Sequence, residues 1–368
     1  MSGYDRNALQ LGVDAIVAAG ATGVLAEVQT AAGVTVARGG VADLATRAPM
    51  PWNAYYRISD DTKTFTATVV LQLVDEGRLA LTDTVEKWLP GVVRGNGNDG
   101  DRITVANLLR QTSGLREYDK QLPMAADITP GGYRRERFHA FRPRELVHLA
   151  TRQPPHWVPD ASDPAGETRF IPANTNYALA GMLVEQVTGH SWERETHERV
   201  IEPLGLRHTL TPGTCAYLPQ PSATAYTRFP GAEALTDTSI IVPPGPDRGI
   251  ISTTSDLNTF FRALLGGRLL SADRMAQMRE TVEATAWART WPGVRYGLGL
   301  AWRPLEGRDA GIWFHGGTMP GTVSQGGVSA DGGRSVATLT STYTFGTEQD
   351  AVDEAITTLV DRALSTPE

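Results

Sequence analysis

Residues 56–74 read YRISDDTKTFTATVVLQLV and predict a helix. Ser59 and the two aspartates that follow it offer hydrogen-bond acceptors and negative charge to the first turn of a helix. Apolar residues then recur at helical spacing until Gly77 ends the pattern. Asp60 and Lys63 are separated by one helical turn, so we expect their side chains to share a face of this helix.

Two later segments place polar residues beside glycines or at the start of a helical pattern. Residues 170–183 read FIPANTNYALAGML, in which Asn174 precedes a helix that is predicted to end at Gly189. Residues 314–321 read FHGGTMPG, in which His315 precedes two glycines. Each segment alone is weak evidence for a functional site, because asparagine often caps helices and a lone histidine is often structural.

Taken together, the three segments resemble the serine β-lactamase-like hydrolases, a family that includes class C β-lactamases, D-alanyl-D-alanine carboxypeptidases and related esterases. In that family the central helix begins Arg-Ile-Gly-Ser-x-x-Lys, and the serine is the nucleophile. An alignment without gaps from Arg57 to Lys63 puts Ser59 at the glycine and Asp60 at the serine. With Asp60 at the place of the serine, we expect Ser59 to contact the substrate. The alternative is a helix entry shifted by one residue, which would make Ser59 the nucleophile.

The resemblance also assigns expected roles to the two later segments. Relatives have Tyr-Ser-Asn in the first of them, where the tyrosine moves the proton of the serine; Pro172 stands at the tyrosine and cannot ionise. Asn174 keeps its place, either to bind the substrate or only to cap a helix. The second segment resembles the family's His-x-Gly strand. There His315 is expected in the site, Gly317 permits close approach of the substrate, and the amides of Thr318 and Asp60 form an oxyanion hole.

The resemblance covers nearly the whole chain and implies an α/β (α+β) fold of the β-lactamase/transpeptidase type. We expect an antiparallel sheet flanked by helices, built from residues 1–83 and 216–368, and an inserted, mostly helical domain from residues 84–215. A segment from residue 153 to 169 is expected to be a surface loop, and residues 103–115 a buried turn beneath the site with Gln111 where relatives have histidine. The elements predicted from periodicity are helices at 9–19, 175–189 and 348–364, and strands at 23–29, 34–40, 296–302, 322–330 and 335–341.

Composition restricts the possible partners. The chain has 368 residues, 41% of them hydrophobic, and a formal net charge of −7, which offers no basic surface for nucleic acid or for an anionic membrane. Its single cysteine, Cys215, excludes an internal disulfide and a thiolate metal cluster, and we expect it to be buried and without a catalytic role. We therefore predict a small-molecule or peptide substrate, no cofactor, no metal and a cytoplasmic location. The oligomeric state is left open.

Three hypotheses for function remain. In the first, Asp60 and Lys63 carry out acid–base chemistry without a serine acyl-enzyme, as an isomerase, cyclase, lyase or hydrolase in a biosynthetic pathway. In the second, the chain is a non-catalytic protein that binds a ligand or peptide in the cleft that serves as the active site in the family. In the third, it is a serine hydrolase or esterase that uses Ser59.

The Asp60 and Lys63 pair also leads to an expectation about stability. Lys63 should lower the pKa of the Asp60 carboxyl by charge pairing. A desolvated ion pair is weak evidence for stability, since burial of two charges offsets much of their attraction. We therefore expect Asp60→Asn to abolish turnover while the melting temperature stays unchanged or rises slightly.

Overall fold

The computed structural model describes residues 3–160, 167–305 and 311–365. Within these ranges the strands are short outside the main sheet, and the helices vary from one turn to five. The strands are β1 Gly23–Thr30, β2 Gly33–Gly40, β3 Tyr56–Arg57, β4 Arg94–Gly95, β5 Asn98–Asp99, β6 Tyr226–Thr227, β7 Thr236–Asp237, β8 Ile251–Ser252, β9 Val282–Glu283, β10 Arg295–Tyr296, β11 Ala301–Pro304, β12 Gly311–Met319, β13 Thr322–Ser329, β14 Ser335–Thr340 and β15 Thr342–Tyr343. The α-helices are α1 Arg6–Ala18, α2 Thr62–Asp75, α3 Val85–Trp88, α4 Val105–Leu109, α5 Pro123–Ala126, α6 Pro130–Glu136, α7 Pro143–Thr151, α8 Asn174–Thr188, α9 Trp192–Thr196, α10 Glu202–Leu204, α11 Gly245–Arg248, α12 Thr254–Leu265, α13 Ala272–Met278 and α14 Thr347–Ser365.

The main sheet has eight strands in the order β2-β1-β14-β13-β12-β11-β10-β9, and every neighbouring pair is antiparallel. Its central strands are buried on both faces because successive residues point to opposite sides of a strand. In β1, Leu25 faces one apolar cluster, whereas Val24 and Ala26 face the other. Helices α1 and α14 cover one face and α12 packs on the other.

Helix α2 lies in the centre of the larger apolar cluster. From Thr62 to Leu71 every residue is buried, so this helix has no solvent face over its first ten residues. It packs against α8, α9 and α11, and Phe65 stacks on Phe260 of α12 with ring centroids 3.6 Å apart. Polar threonines on α2 are satisfied by carbonyl groups; for example, Thr64 donates to the carbonyl of Gly299 over 2.8 Å.

The predicted fold class is confirmed: an antiparallel sheet is flanked by helices, and α3 to α10 all fall between residues 84 and 215. The division of the chain into two domains stays a prediction. Residues 153–160 and 167–169 of the predicted surface loop lie outside helices and strands, and residues 161–166 lie outside the described part of the chain. Over the described ranges, we find no helix long and apolar enough to cross a membrane.

Two smaller predictions are wrong. Residues 296–302 were expected to be one strand, but β10 ends at Tyr296 and β11 begins at Ala301. Gly299 between them has a φ of 83°, a left-handed conformation that interrupts a strand. Cys215, expected to be buried, is exposed and lies in a loop after the helical segment.

Candidate active site

A single 3-10 turn, Ser59–Asp61, leads into α2 and sets the direction of the side chains around it. Ser59 has a φ of 51°, a conformation that glycine adopts most easily. Strand β12 comes very close to this turn. A Cβ atom built on Gly317 would lie 2.3 Å from the backbone nitrogen of Asp60, so only glycine fits there.

The Ser59 side chain is turned away from the cleft. It is fully buried, and its hydroxyl donates a hydrogen bond to the carbonyl oxygen of Thr318 over 2.9 Å. This bond joins the start of α2 to the end of β12 and fixes the backbone of Thr318. Ser59, which we expected to contact the substrate, therefore acts on the site through Thr318.

Asp60 is the side chain that this turn directs to the cleft. Its carboxylate is 26% exposed and is paired with the ammonium group of Lys63, which is only 5% exposed. Lys63 also lies 3.4 Å from the carbonyl oxygen of Asp247 and 5.8 Å from the ring centroid of Tyr177. Burial alone would raise the pKa of Asp60, but the positive charges of Lys63 and Arg248 outweigh it and lower the pKa, so this carboxylate is ionised at neutral pH.

Arg248, at the end of α11, is a second cation of the site. Its guanidinium donates to Asp119 over 2.5 Å, to the hydroxyl of Tyr118 over 3.1 Å and to Asp247 over 3.2 Å. Asp247 is completely buried and accepts a further hydrogen bond from Tyr118. The arginine is 13% exposed and Asp119 is 31% exposed, so the charges that face the cleft here are more acidic than basic.

Asn174 reaches the site through this cluster. Its side-chain amide donates to Asp119 over 3.1 Å, and its backbone amide donates to Glu117 over 2.8 Å. Helix α8 begins at Asn174 and its N-cap residue is Ala173, so the cap function considered for Asn174 is wrong. Burial, with the charge of Asp119, raises the pKa of Glu117 to about 7.

Gln111 contacts the residues at the start of α8. It is 1% exposed, and its side-chain oxygen accepts hydrogen bonds from the backbone amide of Ala173 and from Asn176. The expectation of a buried turn beneath the site agrees with this arrangement. The turn holds the start of α8, and with it Asn174, in place.

His315 is buried and lines the same cavity as Asp60. Its Nε2 atom is 3.1 Å from the hydroxyl of Tyr296, and the ring packs edge-on against Trp287 with centroids 6.4 Å apart. Burial and the nearby charge of Lys63 lower the pKa of His315 to about 4. The imidazole is therefore neutral at neutral pH, and it contributes hydrogen bonding and shape to the site, not charge.

Asp61, directly after Asp60, points into the protein. It is fully buried, and its Oδ2 atom lies 2.6 Å from the hydroxyl of Ser324, while its Oδ1 atom has no hydrogen-bond partner among the residues that the structure describes. Burial raises the pKa of Asp61 to about 8. The two adjacent aspartates therefore differ in charge at neutral pH, one ionised in the cleft and one protonated beneath it.

Two cavities meet at Thr318, the exposed residue near the end of β12. The first, of about 260 Å³, contains Asp60, His315 and Gly317 in its wall, together with Trp287. The second, of about 290 Å³, is mostly apolar, with Arg248 and Asp119 at one edge. Its apolar wall is formed by Leu122, Met124, Phe141, Phe229, Ile241, Met319 and Phe345.

One group of residues in the described part of the chain has the spacing of a metal site. Ligand atoms of His190, Glu195 and Glu198 lie within 4.8 Å of one another. Glu195 already pairs with Arg199, and Glu198 pairs with Arg194. Because arginines neutralise both carboxylates, ion pairing adequately explains this group.

Comparison with known proteins identifies the family. The chain matches the model of the beta-lactamase family over residues 13–359. It belongs to the beta-lactamase family.

Three known proteins illustrate the similarity. A D-stereospecific amidohydrolase from Streptomyces sp. is 38% identical, with a TM-score of 0.84 over 95% of this chain and 98% of that one. A D-amino acid amidase from Ochrobactrum anthropi, solved with L-phenylalanine amide, has a TM-score of 0.82 over 97% of each chain, and its 24% identity supports the fold alone. Penicillin-binding protein 4 of Amycolatopsis lactamdurans is 28% identical over 281 residues, which are 71% of this chain and 65% of that protein.

The structure brings Asp60, Lys63, Gly317 and Thr318 together and places His315 beside them. Asn174 is connected to them through Asp119 and Arg248. The sequence analysis missed Arg248, Asp119, Glu117, Tyr296 and Trp287. The signal for Arg248 was the segment PPGPDRGI at 243–250, where two charged residues stand among prolines, glycines and an apolar residue.

Proposed function

We propose that this member of the beta-lactamase family is an enzyme that uses Asp60 for acid–base chemistry on a small amide or peptide, without a serine acyl-enzyme. The observation that carries the proposal is the ionised Asp60 carboxylate, which is paired with Lys63 and open to the cleft, next to the backbone of Thr318. At its position, three residues before the lysine, the family has its serine. The left-handed φ of Ser59 supports the alignment without gaps, because the family has glycine there.

Hydrolysis of an amide is the reaction that best fits the relatives, since two of them are named as an amidohydrolase and an amidase. Asp60 would take a proton from water while the water oxygen attacks the carbonyl carbon. The negative charge on the carbonyl oxygen would be stabilised by the amides of Thr318 and Asp60. The C–N bond would then break, and the proton held by Asp60 would pass to the departing nitrogen, which leaves an acid and an amine.

Isomerisation, cyclisation and elimination share the first step of this scheme, removal of a proton by Asp60 beside a stabilised oxyanion. They are therefore variants of the same proposal. The lowered pKa keeps Asp60 ionised, so that it can accept a proton, but it also makes the carboxylate a weak base. Stabilisation of the oxyanion must therefore supply much of the rate acceleration. We also propose that the enzyme has a biosynthetic role in the cytoplasm.

The substrate should carry an apolar group. The apolar cavity opens beside Thr318, and pockets of this kind usually bind the hydrocarbon part of a ligand. One of the structurally similar proteins was solved with phenylalanine amide, which combines an amide and an aromatic ring. Phenylalanine amide is therefore a reasonable first test compound.

A second candidate function is ligand binding without catalysis, and Pro172 favours it. It stands where the family has the tyrosine that moves the proton, and proline has no ionisable group. Tyr296 does not replace that tyrosine, because burial raises its pKa above the ordinary value and disfavours the phenolate. Use of Ser59 as a nucleophile is the third candidate, and its complete burial argues against it.

The test is turnover of D- and L-phenylalanine amides and short peptides, followed by the release of ammonia or amine. Asp60→Asn should lower kcat by about 10²-fold or more, the usual contribution of an acid–base group. Asp273→Asn, on the exposed side of α13, is the matched control and should keep full activity. A fluorophosphonate adduct on Ser59 with loss of activity would establish the serine hydrolase. Tight binding with no turnover of any compound would establish the binding protein.

A further inference from the structure

The cavity that contains Asp60 extends past His315 to the face of helix α14. Its far wall is formed by Trp287, Trp291 and Asp353, with the exposed Thr290 at its mouth. At about 260 Å³ it is smaller than a typical pocket for a whole drug-sized ligand, so it fits a small group that projects from a larger molecule. Because Asp60 and Asp353 line the same cavity, one ligand can contact both residues.

The charges around this cavity are of one sign. Asp60 and Asp353 are its only ionisable wall residues apart from neutral His315, and no lysine or arginine is among the described residues of its wall. Asp60 already has Lys63 behind it. Asp353 accepts a hydrogen bond from Gln349 over 2.7 Å, a neutral partner. The wall therefore has a carboxyl group, that of Asp353, with no cationic partner among the described wall residues.

Aromatic rings line the same end of the cavity. Trp287 and Trp291 are perpendicular, with centroids 6.3 Å apart, and Trp291 packs edge-on against Phe314 at 5.1 Å. Tryptophan rings attract organic cations through their electron-rich faces. Together with a carboxylate, they form surroundings that favour an ammonium group over a neutral or an anionic one.

A buried side-chain amide in the cavity wall lacks a hydrogen-bond partner among the described residues. Gln325 of β13 is 4% exposed, lies in the cavity wall, and its Nε2 atom has no hydrogen-bond partner among the described residues. Gly316 lies opposite it in the strand pairing, so no side chain covers the amide from that strand. A buried donor without a partner is costly, and a carbonyl or hydroxyl oxygen of a ligand would satisfy it.

We propose that this cavity binds the cationic amino group of the substrate, with Asp353 as its counter-ion and Trp287 and Trp291 as its aromatic wall. Gln325 would donate to an oxygen of the same ligand between the amino group and the reacting amide. This inference rests on the proposed function in placing the reacting group at Asp60. It adds that the substrate is an amino amide, in which a primary amine is a few bonds from the amide carbonyl.

The experiment uses pairs of compounds with the same shape and different charge. Each ω-amino amide from 3-aminopropanamide to 6-aminohexanamide is compared with the neutral amide in which a methyl group replaces the ammonium, such as hexanamide for 5-aminopentanamide. Dissociation constants are measured by calorimetry or by NMR titration on the whole protein. We expect one chain length to bind at least about 10-fold more tightly than its neutral partner, equivalent to about 1.4 kcal/mol.

Asp353→Asn should remove that preference and leave affinity for the neutral amides unchanged. The variant should fold, because asparagine can still accept the hydrogen bond from Gln349. Glu354→Gln is the matched control on the same helix, since Glu354 is exposed and lies outside the cavity wall; it should keep the preference. Absence of a preference at every chain length, or an equal preference in Asp353→Asn, would overturn the proposal.

This result is separable from the proposed reaction because it is measured as equilibrium binding. If the protein shows an Asp353-dependent preference for amines but no turnover, the amine site stands and the acid–base enzyme does not. If turnover depends on Asp60 but neutral and cationic amides are equivalent, the enzyme stands and the amine site does not.

Discussion

Gly317 and Asp60 are so close that a side chain on the first would collide with the backbone of the second. A Cβ atom on Gly317 would lie 2.3 Å from the Asp60 nitrogen and 2.6 Å from the Ser59 Cβ atom. This contact fixes the position of the Asp60 amide relative to that of Thr318, the next residue of β12. The separation of the two proposed oxyanion donors is therefore set by a glycine.

Gly317→Ala should destabilise the fold and the site together. The added methyl group must push β12 away from α2, and overpacking of this kind costs about 1–3 kcal/mol. Thermal or urea denaturation measures the change. Gly333→Ala is the control, since its Cβ atom would lie 3.4 Å from Asp331, an ordinary contact in the turn after β13. Equal stability of the two variants would show that β12 can move freely from α2.

The protein should not form a penicilloyl adduct. Acyl transfer in this family needs a serine at the position of Asp60, and a carboxylate there would give an unstable mixed anhydride. Intact-protein mass spectrometry after incubation with a penicillin should show no stoichiometric mass gain. Asp60→Ser restores the family residue but should recover little acyl transfer, because Pro172 remains at the place of the tyrosine. A gain that maps to Ser59 in the unmodified sequence would contradict the assignment of Asp60.

The fold and the α2 side of the site were predicted through the resemblance to the β-lactamase-like family, whose motifs are short segments that can be recognised in the sequence. Asp60 and Lys63 are one turn apart on a helix, and Gly317 and Thr318 follow a recognisable histidine. Arg248 and Asp119 are 129 residues apart in the chain, and only the packing of α11 against α2 and α8 brings this pair next to Asp60. No periodicity in the sequence indicates a charge cluster that is assembled from segments far apart in the chain. The exposure of Cys215 was not predicted for a related reason. Outside helices and strands, no periodic pattern in the sequence distinguishes buried from exposed residues.

Asp60→Asn should lower the melting temperature, which revises the expectation from the sequence. The pKa of Asp60 is lowered in the folded state, so its ionised form stabilises the fold above the unfolded pKa of 3.8, and that stabilisation is lost as pH falls. Asparagine would leave the nearly buried Lys63 ammonium without its counter-ion. The cost should lie between roughly 1 kcal/mol for an exposed pair and roughly 3–5 kcal/mol for a buried one.

The double variant Asp60→Asn with Lys63→Met tests the reason for that cost. Removing both charges should recover part of the stability, because no buried charge is left without a partner. Calorimetric melting at pH 7 compares the two variants with the unmodified protein. If the melting temperature of Asp60→Asn alone equals or exceeds that of the unmodified protein, the ion pair does not stabilise the fold, as expected from the sequence.

His315 should not titrate across the neutral range. Burial and the charge of Lys63 lower its pKa to about 4, so the ring stays neutral from about pH 5 upward. The NMR shifts of its ring should be constant between pH 5.5 and 8, and no limb of an activity profile in this range should belong to it. A titration midpoint between about pH 6 and 7 would show that the ring is open to water.

Asp61→Asn should stabilise the protein at pH 8 but not at pH 4. The pKa of Asp61 is raised by burial from 3.8 to about 8. Below the unfolded value the carboxyl is protonated in both states. As pH rises toward 8 the unfolded chain ionises and the folded one does not, so the unfolding free energy falls. One pKa unit corresponds to about 1.4 kcal/mol, so the fall is on the order of several kcal/mol.

The contacts of Asp61 explain why asparagine is tolerated there. The Ser324 hydroxyl lies 2.6 Å from the Asp61 Oδ2 atom and 3.0 Å from the carbonyl oxygen of Ile58, and it has a single proton to donate. A neutral group at position 61 leaves no charge in this enclosed place, whereas an ionised one would be desolvated there and would have no salt bridge to a described residue. Urea denaturation at pH 4, 6 and 8 should therefore show the variant gaining on the unmodified protein at each step. Asp273→Asn, on the exposed side of α13, should show no such pH-dependent gain. A variant less stable than the unmodified protein at pH 8 would mean that Asp61 is ionised in the fold, and that the adjacent carboxylates of Asp60 and Asp61 carry two charges into the site instead of one.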